Sequence, residues 1–312
     1  TGVGVDHAQA QDGELVSRLK QGVDLLHRGR ADEANRVFRA ILADDPSSED
    51  AYVLVKETDH RVFLEMLTAG GQSQLVAHRL LQLSHRAGNE RSRDQGAIAS
   101  LVSQAVNGRD ALARMDAVRQ LAASHGEHAV PSLVGFLGSN DINSRANAII
   151  ALSHIGSDAV VPLATSLGTG NEMQQKNTLG LLERIGDERS APAVLAAGGN
   201  KKGAAAAFVD LAHGYFDGAP DVLKNYDGTF TVWALDGDRL VGRDTARFLY
   251  NYEMAQQAAF DALAAEPDFG PARAMISLAS FAKVAAWNNI GAEAQADEAM
   301  ADAARSVAAA HA

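Results

Sequence analysis

Within the stretch LAASHGEHAVPSL, residues 121–133, His125, Glu127 and His128 fall inside four positions. Imidazole nitrogens and a carboxylate are the donors of a metal site, and the same groups can serve as general acid and base. Such chemistry needs donors of fixed identity, usually three protein ligands for a catalytic zinc ion. Whether these three residues form a site therefore depends on whether the stretch is unique or one copy of a recurring pattern.

It recurs. Three segments align without a gap: DAVRQLAASHGEHAVPSLVGFL from Asp116, NAIIALSHIGSDAVVPLATSL from Asn147 and NTLGLLERIGDERSAPAVLAA from Asn177. In each, a leucine is followed ten residues later by a proline: Leu121 to Pro131, Leu152 to Pro162, Leu182 to Pro192. Proline is tolerated in the first turn of a helix, where its missing N–H has no partner to lose, so each proline marks the start of a second helix. The small or apolar positions Ala117, Val118 and Leu121 recur as Ala148, Ile149 and Leu152 and as Thr178, Leu179 and Leu182. Each unit is thus expected to be helix, turn, helix. Where the first unit has His125, Glu127 and His128, the second has His154, Ser157 and Asp158, and the third Arg184, Asp187, Glu188 and Arg189. Changing polar residues at one place in a repeat read as a solvated turn, so no metal and no cofactor is expected, with His125, Glu127 and His128 the weak candidates for one.

This repeat resembles the short class of HEAT repeat found in phycobilisome lyases and many bacterial scaffold proteins. The resemblance covers residues 109–197, with degenerate copies suggested at 207–223 (AFVDLAHGYFDGAPDVL) and 79–88 (RLLQLSHRAG). It implies an α-solenoid. No short lyase motif accompanies it, so lyase activity is not implied. The deoxyhypusine hydroxylases, built from related helical repeats, depend on His-Glu dipeptides, which this chain lacks.

Residues 15–46 show a second pattern. Gly22 and Ala34 are small where two antiparallel helices would cross, Phe38 is large enough to fill the groove between them, and Pro46 ends the second helix. With HRGRADEA as the turn, this resembles a tetratricopeptide repeat, and a following segment from EDAYVLVKETDH puts Tyr52 in the aromatic slot. In that family the first helix lines a concave ligand-holding face. The resemblance implies that Leu19, Val23, Leu26 and His27 form a groove for a partner's extended peptide or helix, the alternative being burial against the preceding segment.

At NYDGTFTVWALDGDRLVGRD, residues 225–244, the pattern breaks. Alternation in TFTVWAL and the Asp236-Gly237 turn signal predict a β-hairpin near 229–242, and Tyr226, Phe230 and Trp233 are expected to clasp it to the helices or offer an aromatic patch. Residues 245–312 return to a tetratricopeptide-like shape, with Phe260 and Ala262 before Pro267 and an alanine-rich capping helix at 285–311.

The expected fold is therefore all-α: a right-handed α-solenoid of helix-turn-helix repeats with one hairpin. Its expected divisions are 1–14, a tail or signal remnant; 15–108, tetratricopeptide-like and bridging helices; 109–224, HEAT-like repeats; 225–244, the hairpin; and 245–312, further helices and cap. Composition agrees, with 46% hydrophobic residues but only 5% aromatic ones. A net charge of -11 disfavours nucleic acid as a partner, since phosphate binding needs clustered lysine and arginine. Without cysteine there is no disulfide or sulfur-built zinc site, and no stretch reads as a membrane span. The triplet Ala8-Gln9-Ala10 has the form of a signal-peptidase site, which sets an expectation of export to the periplasm rather than residence in the cytoplasm.

No Gly-rich phosphate loop or nucleophile elbow is present. The expected function is a non-catalytic scaffold, a subunit of a larger assembly, holding a protein partner that is basic or presents an extended peptide or helix. The alternative is a HEAT-repeat enzyme or a chromophore- or metal-binding lyase-like protein.

Overall fold

A computed structural model describes residues 3–223, 230–295 and 301–311. The chain divides into two compact units, residues 1–92 and 93–312.

The first unit is five helices: α1 (Val3–His27), α2 (Ala31–Ala43), α3 (Ser48–Glu57), α4 (His60–Ala69) and α5 (Gly71–Ser92). The expected tail is instead the start of α1, which is helical from Val3. Gly22 does what its size suggests: the Phe38 ring lies where its Cβ would be, so α1 and α2 cross closely. Ala34, Phe38 and Ile41 are buried on one stripe of α2. Ser47 caps α3 in a capping box with Asp50. Tyr52 packs beneath α5, with the Arg91 guanidinium over its ring at 4.6 Å. The stretch 79–88 lies in the middle of α5 and is no helix-turn copy.

The second unit begins with α6 (Gln95–Asn107), earlier than the expected boundary near 108, because Ile98, Val102, Ala105 and Val106 belong to the same core as the repeats. The repeats follow as helix pairs. The first is α7 (Ala111–Gln120) with α8 (Val130–Val134), the second α9 (Ile142–Ile155) with α10 (Val160–Ser166), and the third α11 (Glu172–Ile185) with α12 (Ala191–Ala197). Pro131, Pro162 and Pro192 all lie in the first turn of a second helix, as their chemistry predicts. The first helices are capped by Asp110, Asp141 and Asn171, whose side chains accept from backbone N–H groups one turn in. Units are tied by a recurring asparagine: Asn147 donates to the Val106 carbonyl at 2.9 Å and Asn177 to that of Leu137 at 2.8 Å. Val106 of α6 thus takes the place that Leu137 takes one unit later.

α13 (Lys201–Phe216) continues the array, but the stretch after it forms no second helix through residue 223, so the suggested copy at 207–223 is half of one. The hairpin is β1 (Thr231–Asp236) and β2 (Arg239–Asp244), paired antiparallel with Asp236 opposite Arg239. Its loop is therefore Gly237-Asp238, one residue later than expected, and Gly237 at φ 61° supplies the positive φ the tight turn needs. α14 (Arg247–Ala265) and α15 (Gly270–Asn289) pack side by side, followed by α16 (Ala292–Gln295) and α17 (Ala301–His311). Phe260, read as part of a tetratricopeptide-like shape, is exposed on α14.

By length and composition Ile142–Ser166 is apolar enough to cross a membrane. It is two helices broken at Gly156, and Ala148, Ala151, Leu152, Val160 and Leu163 are fully buried in the repeat core.

Candidate functional site

The three units end their first helices differently, and the difference falls on the His-Glu-His stretch. In the second and third units the carbonyls of Leu152 and Leu182 accept from the N–H groups of Gly156 and Gly186, four residues on, as an α-helix ends. In the first unit the equivalent carbonyl, of Leu121, accepts from Gly126, five residues on. Residues Leu121–His125 are a π-helical turn, which takes up one extra residue. From cap to glycine the count confirms the insertion: Asp110 to Gly126 is one longer than Asp141 to Gly156 or Asn171 to Gly186.

The expected solvated turn is not what forms here. His125 and His128 are 6% and 7% exposed, and Glu127 is mostly covered. The hairpin covers Glu127 and His128. Trp233 of β1 is buried, donates from Nε1 to Glu127 Oε2 at 2.7 Å, and sets its ring 5.9 Å from that of His128. A carboxylate that accepts from a buried indole is a strong, charge-assisted hydrogen bond between segments 106 residues apart. Gly242, opposite Trp233 in the hairpin register, leaves the ring its space, since a Cβ there would lie 3.0 Å from the ring. Among the described residues no cluster of three or more His, Cys, Asp or Glu side chains converges as a metal site.

The aromatic residues of the hairpin do not form one patch. Phe230 and Trp233 are three apart and so leave opposite faces of the strand. Trp233 and Leu240 join the repeat core, whereas Val232 and Phe230 pack with Tyr215, Tyr250, Met254 and Met275 beneath α13, α14 and α15. Phe230 meets Tyr250 edge-on at 5.4 Å. Tyr226 lies outside the described residues. On β1 the base, Thr231–Trp233, is thus wedged between two cores and the residues from Ala234 are exposed, whereas on β2 Leu240 alone is buried.

Of the four residues expected to line a groove on α1, Leu19 and Val23 are buried in the first unit's core with Phe38, Ile41, Leu54 and Met66. That corrects the expectation: they hold the helices together and present nothing to a partner. Leu26 is half-buried against the same core, and exposed His27 is hydrogen-bonded to Glu65 of α4 at 2.7 Å.

Two features escaped sequence reasoning. One is a row of exposed apolar side chains, Leu112, Ile142 and Met173, 77%, 67% and 43% exposed, each in the first turn of a first helix. Counted from the caps, Leu112 and Met173 are two residues after Asp110 and Asn171, and Ile142 is one after Asp141, so an alignment on the caps does not bring the three to one position. The other is an open cavity of about 580 Å³ bordered by α10, α12, α13, α14 and the hairpin. Its walls are mostly apolar, including Val161, Leu167, Phe208, Leu211 and Met254. Its polar groups are few. Arg189 is held by Asp187 at 2.9 Å and also donates to the Ser157 carbonyl at 2.7 Å. Gln257 donates to the Trp233 carbonyl. Asp261 borders the cavity from α14 on an exposed position, whereas Tyr215 is buried, and removal from water pushes its hydroxyl above its ordinary value.

With this geometry in hand, the match to a family is informative. Residues 98–173 match the family model of HEAT repeats, which takes in α6 and the first two helix pairs. No curated protein and no solved structure matches the chain.

Proposed function

We propose that this chain is a non-catalytic helical-repeat scaffold that holds a protein partner, as a subunit of a larger assembly. On this reading the second unit stacks its repeats as a right-handed solenoid, and the first unit is tetratricopeptide-like. The observation that carries the reading is the row Leu112, Ile142 and Met173. Packed cores do not need exposed apolar residues, and one such residue in the first turn of each of the neighbouring helices α7, α9 and α11 gives apolar points at one edge of the array. A partner segment with apolar side chains at matching intervals would be held along it, and the chain's net charge of -11 favours a basic one. HEAT repeats commonly work in this way, through extended surfaces rather than through a reacting centre. The His-Glu-His stretch supports the same view, because its carboxylate is engaged by Trp233.

The test compares the wild-type chain with Leu112→Ser, Ile142→Ser and Met173→Ser combined, each used to capture proteins from extract of its source. A stoichiometric protein retained by the wild type and lost from the triple variant, with helical circular dichroism unchanged, supports the row as the binding line. A partner retained equally by both removes it.

A further inference from the structure

The wall of the open cavity in the second unit carries two hydrogen-bond donors that the fold leaves unused. Tyr215 of α13 is 2% exposed and the Arg189 side chain 9%, and both line the cavity. Arg189 donates from Nε and Nη2 to Asp187 at 2.9 and 3.0 Å, and from Nη2 to the Ser157 carbonyl at 2.7 Å. That grip fixes the guanidinium plane. It leaves Nη1 with no acceptor among the described residues, and the Tyr215 hydroxyl has none there either. Neither atom is sealed in by protein, and with both side chains otherwise covered, the cavity is what they open onto. Arg189 also lies close enough to Tyr215 for its charge to act on the hydroxyl. A donor covered by protein and given no acceptor costs free energy, and two of them on one apolar wall are placed to meet the acceptor atoms of a ligand.

We propose that this cavity is a binding site for a small amphipathic carboxylate, its oxygens on Arg189 Nη1 and the Tyr215 hydroxyl and its alkyl body along Val161, Phe208, Leu211 and Met254. Donors without acceptors select an accepting head, and a guanidinium beside a hydroxyl suits a carboxylate, whose bonds to them are charge-assisted. Asp187 answers the charge of Arg189 from the Nε edge, so directed hydrogen bonds rather than net charge hold the head. Exposed Asp261 and Lys201, also on the cavity wall, are of opposite sign. The volume, about 580 Å³, lies in the range of small-molecule pockets. Mostly apolar walls would leave the backbone amides of a peptide unpaired, so the ligand is a free alkyl carboxylate rather than a partner's C-terminus. The site is independent of the scaffold reading: it is lined by α10, α12, α13 and α14, whereas Leu112, Ile142 and Met173 lie on the first turns of α7, α9 and α11.

Calorimetric titration of the full chain with octanoate, butanoate and octylammonium tests the site. Octanoate is expected to bind with one site per chain. Butanoate, with half the chain, leaves wall uncovered and is expected to bind about tenfold more weakly or worse. Octylammonium brings donors to donors and is expected to lose about tenfold or more. Tyr215→Phe removes only the hydroxyl, and is expected to cost about tenfold in octanoate affinity while the melting temperature does not fall. Ala264→Trp, from an exposed position on the cavity wall, is expected to block binding with helical circular dichroism unchanged.

Failure of octanoate to bind overturns the proposal, as does equal affinity for octylammonium or butanoate. Undiminished octanoate binding by Tyr215→Phe or by Ala264→Trp overturns it too, by placing the ligand elsewhere. A lower melting temperature for Tyr215→Phe would show that the hydroxyl already has a partner in the fold, which removes the premise. Loss of partner capture by the triple serine variant has no bearing on these titrations, so the two readings fail separately.

Discussion

The first repeat differs from the second and third in two linked ways. Its first helix ends in a π-turn with one inserted residue, and its inter-helix segment is covered by Trp233 of the hairpin. In the second and third units the helices end in ordinary α geometry at Gly156 and Gly186, and the neighbouring second helices α10 and α12 border a cavity. The hairpin also packs along α10 of the second unit, so the inserted residue goes with the Trp233–Glu127 bond and not with the docking of the hairpin as a whole. The lesson is that polar residues at one place in a repeat need not share a role. In the first unit they face a buried indole, whereas in the third Asp187 caps the short helix after it and grips Arg189.

The comparison can be broken most severely at Trp233. Trp233→Ala removes the largest side chain bridging hairpin and repeat core, and is expected to cost about 3–5 kcal/mol in denaturant unfolding. A loss below about 1 kcal/mol would mean that the hairpin does not clasp the first unit. A gentler change sharpens the same point. Trp233→Phe keeps most of the packing but leaves the Glu127 carboxylate without its indole donor, with an expected cost of about 1–3 kcal/mol. If Trp233→Phe is much less harmful when Glu127 is replaced by Leu in the same chain, the bond is confirmed by a coupling energy.

The tie between units gives a third comparison. Asn177→Ala removes a side-chain hydrogen bond to the Leu137 carbonyl and should cost about 1 kcal/mol, as should Asn147→Ala at Val106. The first unit has Asp116 at this place, an ion-pair partner of Arg119 on the surface, so Asp116→Ala should cost less than either. Equal losses at all three would contradict the tie.

Much of the fold was legible from residues alone. The recurring leucine, the second-helix prolines and the small residues Gly22 and Ala34 opposite Phe38 are local signals with one physical reading each. The inserted residue was not legible, because the segment after it is one residue shorter and the proline keeps its place: Pro131 lies five residues after Gly126, whereas Pro162 and Pro192 lie six after Gly156 and Gly186. A gapless alignment on leucine and proline hides that shift. The burial of Leu19 and Val23 was misread because a single amphipathic helix does not say which neighbour covers its apolar stripe, and α1 turned out to pack that stripe inward. Contacts such as Glu127 with Trp233, and a cavity whose walls run from Val161 to Ala265, join distant parts of the chain and leave no local pattern. The row Leu112, Ile142 and Met173 lay in plain view beside the caps, yet an exposed residue is defined only by what does not cover it.

The central claim is that this row meets a protein partner. Its most direct test places a photo-crosslinking phenylalanine analogue at position 142 and separately at position 281, where exposed Phe281 lies on a different helix, α15. Both chains are irradiated in extract of the source. The account predicts a discrete cross-linked protein from position 142 and none from position 281. Cross-linking from 281 alone would place the partner elsewhere and contradict it.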